Sequence, residues 1–185
     1  MPTNRLLIKE QIATYSQLLF DVAKNEGGQE GVLETCEQAK AMVKAIRGNA
    51  TFDSALKDPG YSPEQKAKLV KGVFANANPA LVNTVAVMAE RGEVDLLRLV
   101  AEQLEERMAD ELNLVVVDVE TAVELDDNLR ALIKKKAESE LGKTVVLNEH
   151  INKSIIGGII MSTKDERIDA SLLSRVEKTR EALKQ

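Results

Sequence analysis

Up to about residue 110 the apolar positions recur every three or four residues, the spacing that lines one face of a helix. Beyond that point they gather into short β-branched runs. The change predicts an N-terminal helical domain, residues 1–110, and a differently built C-terminal domain, residues 111–185. A first helix spans about Leu6 to Asn25 and stops at Gly27-Gly28. A second, about Gln29 to Arg47, carries Val32, Cys36, Ala39, Val43 and Ile46 on one stripe and closes at Gly48-Asn49. A short helix with Phe52, Ala55 and Leu56 ends at Asp58-Pro59-Gly60. Ser62 with Pro63, and Asn78 with Pro79, are start signals: a side-chain oxygen for the first free amides, then a ring whose φ suits the first turn. The first of these helices turns Leu69, Val70, Val73 and Phe74 inward; the other runs to Arg91-Gly92. A sixth carries Leu96, Val100, Leu104, Met108 and Leu112. Six helices with short connectors predict a bundle.

In the second domain, Leu114 to Val119 has the composition of a strand. Asp126 or Asp127 caps a helix that turns Leu129, Leu132, Ile133, Ala137 and Leu141 inward and ends at Gly142. Strands follow at Thr144–Leu147 and at Gly158–Met161, the latter apolar enough to be buried on both faces. Arg167-Ile168 is a short extended piece before a final helix from residue 171 to about 184, burying Leu172, Val176 and Leu183. The whole is an α+β protein: a six-helix bundle, then a small α+β lobe.

The first helix is apolar over more than its own bundle needs. Ile8, Ile12, Tyr15, Leu19 and Val22 form one stripe, Leu18 lies beside it, and Ala13, Phe20 and Ala23 carry the arc around the other side. Together they cover roughly two thirds of the circumference, against the ~100° stripe of an ordinary bundle helix. Two readings fit. The helix is central to its own bundle, or part of its surface is a groove for a partner helix. Val87, projecting from a side otherwise occupied by Asn83, Glu90 and Arg91, fits the second.

Charge and composition narrow the function. The net charge of -5 is spread evenly, so neither half offers the basic surface that nucleic acid or an anionic membrane requires. No apolar run approaches the ~20 residues of a membrane span, so direct membrane insertion is not expected. Cys36 is the only cysteine and His150 the only histidine, so neither a disulfide nor a Cys/His metal cage is expected. Cys36 reads as a small buried hydrophobe.

Lys143-Thr144 after Gly142 invites a nucleotide-binding reading, the main enzymatic alternative. The position five before Gly142 is Ala137, and the segment leaves a helix and enters a strand. A phosphate loop does the reverse, leaving a strand and opening a helix whose amides face the anion. No carboxylate pair or serine–histidine combination stands at catalytic spacing. No catalytic residue, metal or cofactor is therefore expected, and a generic helical adaptor is the remaining alternative.

Several segments together resemble one known family. Tyr15-Ser16-Gln17-Leu18-Leu19-Phe20-Asp21-Val22-Ala23 looks like its Tyr-Ala-x-Ala-Leu-Phe-x-x-Ala element. Asp58-Pro59 with Lys66-Ala67-Lys68-Leu69-Val70, and Met88-Ala89-Glu90-Arg91-Gly92, resemble two further elements. The most specific is C-terminal: Gly142-Lys143-Thr144-Val145-Val146-Leu147, then Ile155-Ile156-Gly157-Gly158-Ile159-Ile160-Met161, then Ile168-Asp169-Ala170-Ser171. The family is the ATP synthase delta subunit, called the oligomycin-sensitivity-conferring protein in mitochondria. There are departures. Glu-Arg-Gly ends the fifth helix where Glu-Asn-Gly-Arg is usual, Lys164 stands where a glycine is common, and Ser16 replaces a small alanine.

The resemblance implies a non-catalytic stator subunit that supports proton-driven ATP synthesis by resisting rotor torque. It implies that the bundle binds the N-terminal helices of the alpha subunits, between its first and fifth helices, through Tyr15, Leu18, Leu19, Val87 and Met88. The lobe would bind the C-terminal helices of the b subunits through Leu172, Leu173 and Val176. The protein would then sit peripherally at the cytoplasmic face of a bacterial cell membrane as part of the ATP synthase.

Overall fold

Gly28 ends one helix and begins the next with no loop between them. The computed structural model, which describes residues 4–163, 167–172, 174, 176 and 180, is helical from Asn4 to Gly48 (α1, Asn4–Gly48) with one kink. At that kink Gly28 adopts φ 61° and ψ -136°, a region that side-chain-bearing residues enter only under strain. The two helices predicted there are thus present as two arms, residues 4–27 and 29–48, that meet at Gly28. A single glycine redirects the chain where a connecting loop was expected.

The chain divides into two compact units, Met1–Leu112 and Asn113–Gln185. In the first, the helices that follow Asn49, Ser62 and Asn78 each start where a side chain takes over free amides. Asn49 accepts from Phe52 N–H at the start of α2 (Ala50–Lys57). Ser62 and Gln65 form a reciprocal capping box at α3 (Pro63–Val73). Asn78 accepts from the Ala80 and Leu81 amides at α4 (Pro79–Arg91). A 3₁₀ turn, Val94–Leu96, leads into α5 (Leu97–Glu111). The core is filled by Leu19 and Phe20 from the first arm of α1 and Val32 and Met42 from the second. Leu56, Val70, Leu81, Val85, Met88, Leu97, Val100, Leu104 and Met108 complete it. Val73, expected inside, is exposed. The buried face of α3 is centred on Lys66, Ala67 and Val70, and Val73 falls at its edge in the last turn.

The second unit is a four-stranded sheet in the order β2-β1-β3-β4. β1 (Leu114–Thr121) and β2 (Thr144–Ile151) are parallel, joined through α6 (Asp127–Leu141), as a parallel pair requires a crossover. β3 (Ile159–Ser162) runs antiparallel to β1, and β4 (Arg167–Asp169) antiparallel to β3. Val117, Val119, Val145 and Met161 meet Leu125, Ile133 and Ala137 in one core. Ile160 and Met161, on opposite faces of β3, are both buried, as its unbroken apolar composition predicts. Leu129 and Leu132 are corrections to the expected inward face of α6. Ile133 and Ala137, four apart, meet the sheet; Leu132 lies about 100° away around the helix and is 64% exposed, and Leu129 is left open in the first turn.

Gly157-Gly158 holds the approach to the last helical residues. Gly158 has φ +93°, and a Cβ there would lie 2.6 Å from the Ala170 carbonyl oxygen and 2.7 Å from Ser171 Cα. Hydrogen bonds fix that contact: Ala170 N–H donates to Ile159 (3.0 Å) and Leu172 N–H to Gly157 (2.9 Å). Asp169 then accepts from Ser171 N–H, and Ser171 Oγ from Ser174 N–H. The Ile-Asp-x-Ser motif is thus a turn followed by a helix cap.

Candidate partner-binding site

The first arm of α1 is tied down on two sides. Toward α4, Tyr15 Oη donates to Glu93 Oε2 (2.8 Å), Gln11 Nε2 donates to Glu93 Oε1 (2.7 Å), and Arg91 Nη1 donates to Tyr15 Oη (3.4 Å). Toward α5, buried Ser16 Oγ accepts from Arg107 Nε (3.2 Å) and shares its one proton between the Ala13 carbonyl (3.0 Å) and Gln103 Oε1 (3.1 Å). Burial, and then the neighbouring Glu93, raises the Tyr15 phenol above its ordinary value, so it remains a donor throughout the neutral range.

These ties account for most of the apolar arc. Leu19 and Met88 are 1% and 0% exposed and Tyr15 is also buried, so all three belong to the unit's own core. A partner could feel them only through the surface they support. Leu18 is 51% exposed and Val87 39%. Leu18 lies one turn after Tyr15 on α1, and Val87 one turn before Arg91 on α4. Since Tyr15 and Arg91 touch, both apolar residues flank that junction. Leu6 and Leu7 are also exposed near the start of α1. There a shallow groove of about 550 Å³ lies between α1 and α5, floored by Leu6, Ile12, Ala13 and Leu99.

In the second unit, Leu172 (48% exposed) and Val176 (63% exposed) are four residues apart, on one stripe of the last helical segment. The burial expected of them is not seen; both stay open to solvent. Leu173, like Leu183, lies outside the described residues. Ile156 is exposed in the loop beside the glycine pair, and Val123 in the loop before α6.

Nothing in this geometry favours turnover. Lys143-Thr144 joins the end of α6 to β2, and Thr144 N–H donates to the Asn113 carbonyl, so that amide is bound to protein. Among the described residues no three His, Cys, Asp or Glu side chains are grouped to hold a metal, and no helix is long and apolar enough to cross a membrane. Sequence reasoning missed Gln11, Arg91 and Glu93. Glu93 is 78 residues from Tyr15, a separation that no local sequence signal spans.

Fold and surface define a class: a two-unit α+β protein whose notable features are exposed apolar stripes on tightly held helices. The ATP synthase delta (OSCP) subunit family matches residues 12–183, and the chain belongs to that family. It is similar to the ATP synthase subunit delta of Rhodopirellula baltica, with 28% identity over 166 residues, covering 89% of this chain and 72% of the relative. It is likewise 28% identical to the subunit delta of Prochlorococcus marinus strain AS9601 over 174 residues, covering 93% of this chain and 95% of the relative. A chain in the cryo-EM structure of the Toxoplasma gondii mitochondrial ATP synthase hexamer shares the fold, with a TM-score of 0.56 and 16% identity, over 94% of this chain and 97% of that one. The protein is thus a non-catalytic structural subunit of the F-type ATP synthase, a component of its peripheral stalk.

Proposed function

We propose that the chain is the stator connector between the catalytic head and the peripheral stalk. The helical unit, a six-helix bundle when the kink at Gly28 is counted as a helix boundary, docks the N-terminal helices of the alpha subunits. The α+β lobe docks the C-terminal helices of the b subunits, with Leu172 and Val176 on its contact face. By holding the head against rotor torque the protein lets rotation drive conformational change at the catalytic sites, in proton-driven ATP synthesis. It works peripherally at the cytoplasmic face of a bacterial membrane.

The observation that carries this reading is the placement of Leu18 and Val87. They are apolar, solvent-facing, and on two different helices that meet at the Tyr15–Arg91 contact. An amphipathic partner helix buries such a pair against its own apolar face. Tyr15, Leu19 and Met88 form the packed support beneath. The test is titration of the full chain with a synthetic alpha-subunit N-terminal helix. Leu18→Asp puts a charge into the contact and is expected to weaken binding at least ten-fold, roughly 1.4 kcal/mol or more. Because Leu18 is exposed in the free protein, helicity and thermal midpoint should not change. Unaltered affinity in a folded Leu18→Asp variant would remove the docking face.

A further inference from the structure

Glu93 lies just past α4, with its backbone N–H held by the Met88 carbonyl (2.8 Å). Its position therefore follows the last turn of that helix. Both of its carboxylate oxygens are taken by α1: Oε1 accepts from Gln11 and Oε2 from Tyr15. Gln11 and Tyr15 are one turn apart on one side of α1, so a single carboxylate spans two successive turns of it. Each carboxylate oxygen thus has its own donor on α1. Arg91 adds a second hydrogen bond to the same phenol.

We propose that Glu93 is the positioning residue of the docking face, clasping α1 against the end of α4 so that Leu18 and Val87 are held at the separation a partner helix needs. This rests on the docking function argued above. The other flank of α1 is tied independently through Ser16 to Gln103 and Arg107. Releasing Glu93 therefore loosens one wall of the face while the helix stays anchored to α5. A loosened wall must be ordered again on binding, which costs affinity.

The experiment measures affinity for the synthetic alpha-subunit N-terminal helix by calorimetry on the full chain, with thermal midpoints alongside. The variants are Glu93→Ala, Glu93→Gln, Tyr15→Phe, the Glu93→Ala/Tyr15→Phe pair, and Leu18→Asp as a control on the docking face itself. Glu93→Ala is expected to weaken binding roughly ten-fold while the protein stays folded. Glu93→Gln is expected to restore most of that loss, since an amide oxygen still accepts from Tyr15 and a flipped Gln11 can pair with its NH₂. The double variant should bind no more weakly than Glu93→Ala alone, because both changes break one contact. If Glu93→Ala lowers the thermal midpoint but binds like wild type while Leu18→Asp fails to bind, Glu93 is structural only, and the docking function stands without it. If wild type shows no saturable binding, or Leu18→Asp binds as wild type does, the docking function is lost and the clasp with it.

Discussion

Cys36 has the chemistry that its place in the helical pattern implies. It is buried on the inner side of the second arm of α1, and burial, reinforced by the charge of Glu105, pushes its thiol up to about 12. Between about pH 9 and 12 the unfolded thiol ionises and the folded one keeps its proton. The native state then binds more protons than the unfolded state, so stability falls as pH rises through that window and is fully retained below it. One such group contributes a slope of up to about 1.4 kcal/mol per pH unit. Urea unfolding from pH 8 to 11 should show the decline, and Cys36→Ala should flatten it; a slope unchanged by the substitution would exclude Cys36 as its source. A disulfide-exchange reagent at pH 8 should likewise label the thiol only after unfolding. Burial of Cys36 was legible because helical spacing alone decides it. The hydroxyl of Tyr15 was not. Periodicity places the ring at an interface but cannot say that a glutamate 78 residues away receives its proton.

Local punctuation marked the elements well. Ser62-Pro63, Asn78-Pro79 and Asp126 each cap the helix that their chemistry promises, because a cap needs only neighbouring residues. Burial was less legible wherever a helix face extends past its cover. Leu132 and Val73 have the right composition for a core, and nothing local says where the neighbouring element stops. β2 likewise runs on to Ile151, beyond its apolar part. Its polar end pairs in parallel with Asp118 to Thr121, aided by a hydrogen bond from Asn148 to Asp118 (2.7 Å). The glycine pair before β3 is an element-level device whose failure is easy to measure. In Gly158→Ala the new methyl would meet backbone atoms of Ala170 and Ser171, which cannot rotate away, and φ +93° is unfavourable for alanine besides. A loss of about 2 kcal/mol or more is expected in chemical denaturation, with the last helical segment released. A variant within ~0.5 kcal/mol of wild type would mean that this contact does not order the approach to the last helix.

Across the molecule, two units of different construction present apolar residues that their own cores leave uncovered: Leu18 and Val87 on the helical unit, Leu172 and Val176 on the other. That division suits a connector, whose work is to be held at two places at once. The breadth of the apolar arc on α1 was visible in the sequence, yet most of it serves the core, and only Leu18 and the first turns remain for a visitor. Photo-cross-linking from Leu18 and from Val87, one position at a time, in the assembled ATP synthase asks the question without peptides or isolated parts. Adducts with the alpha subunit are expected from both positions. Adducts with the b subunit alone, or none from either position in a fully assembled complex, would contradict docking of the catalytic head at this face.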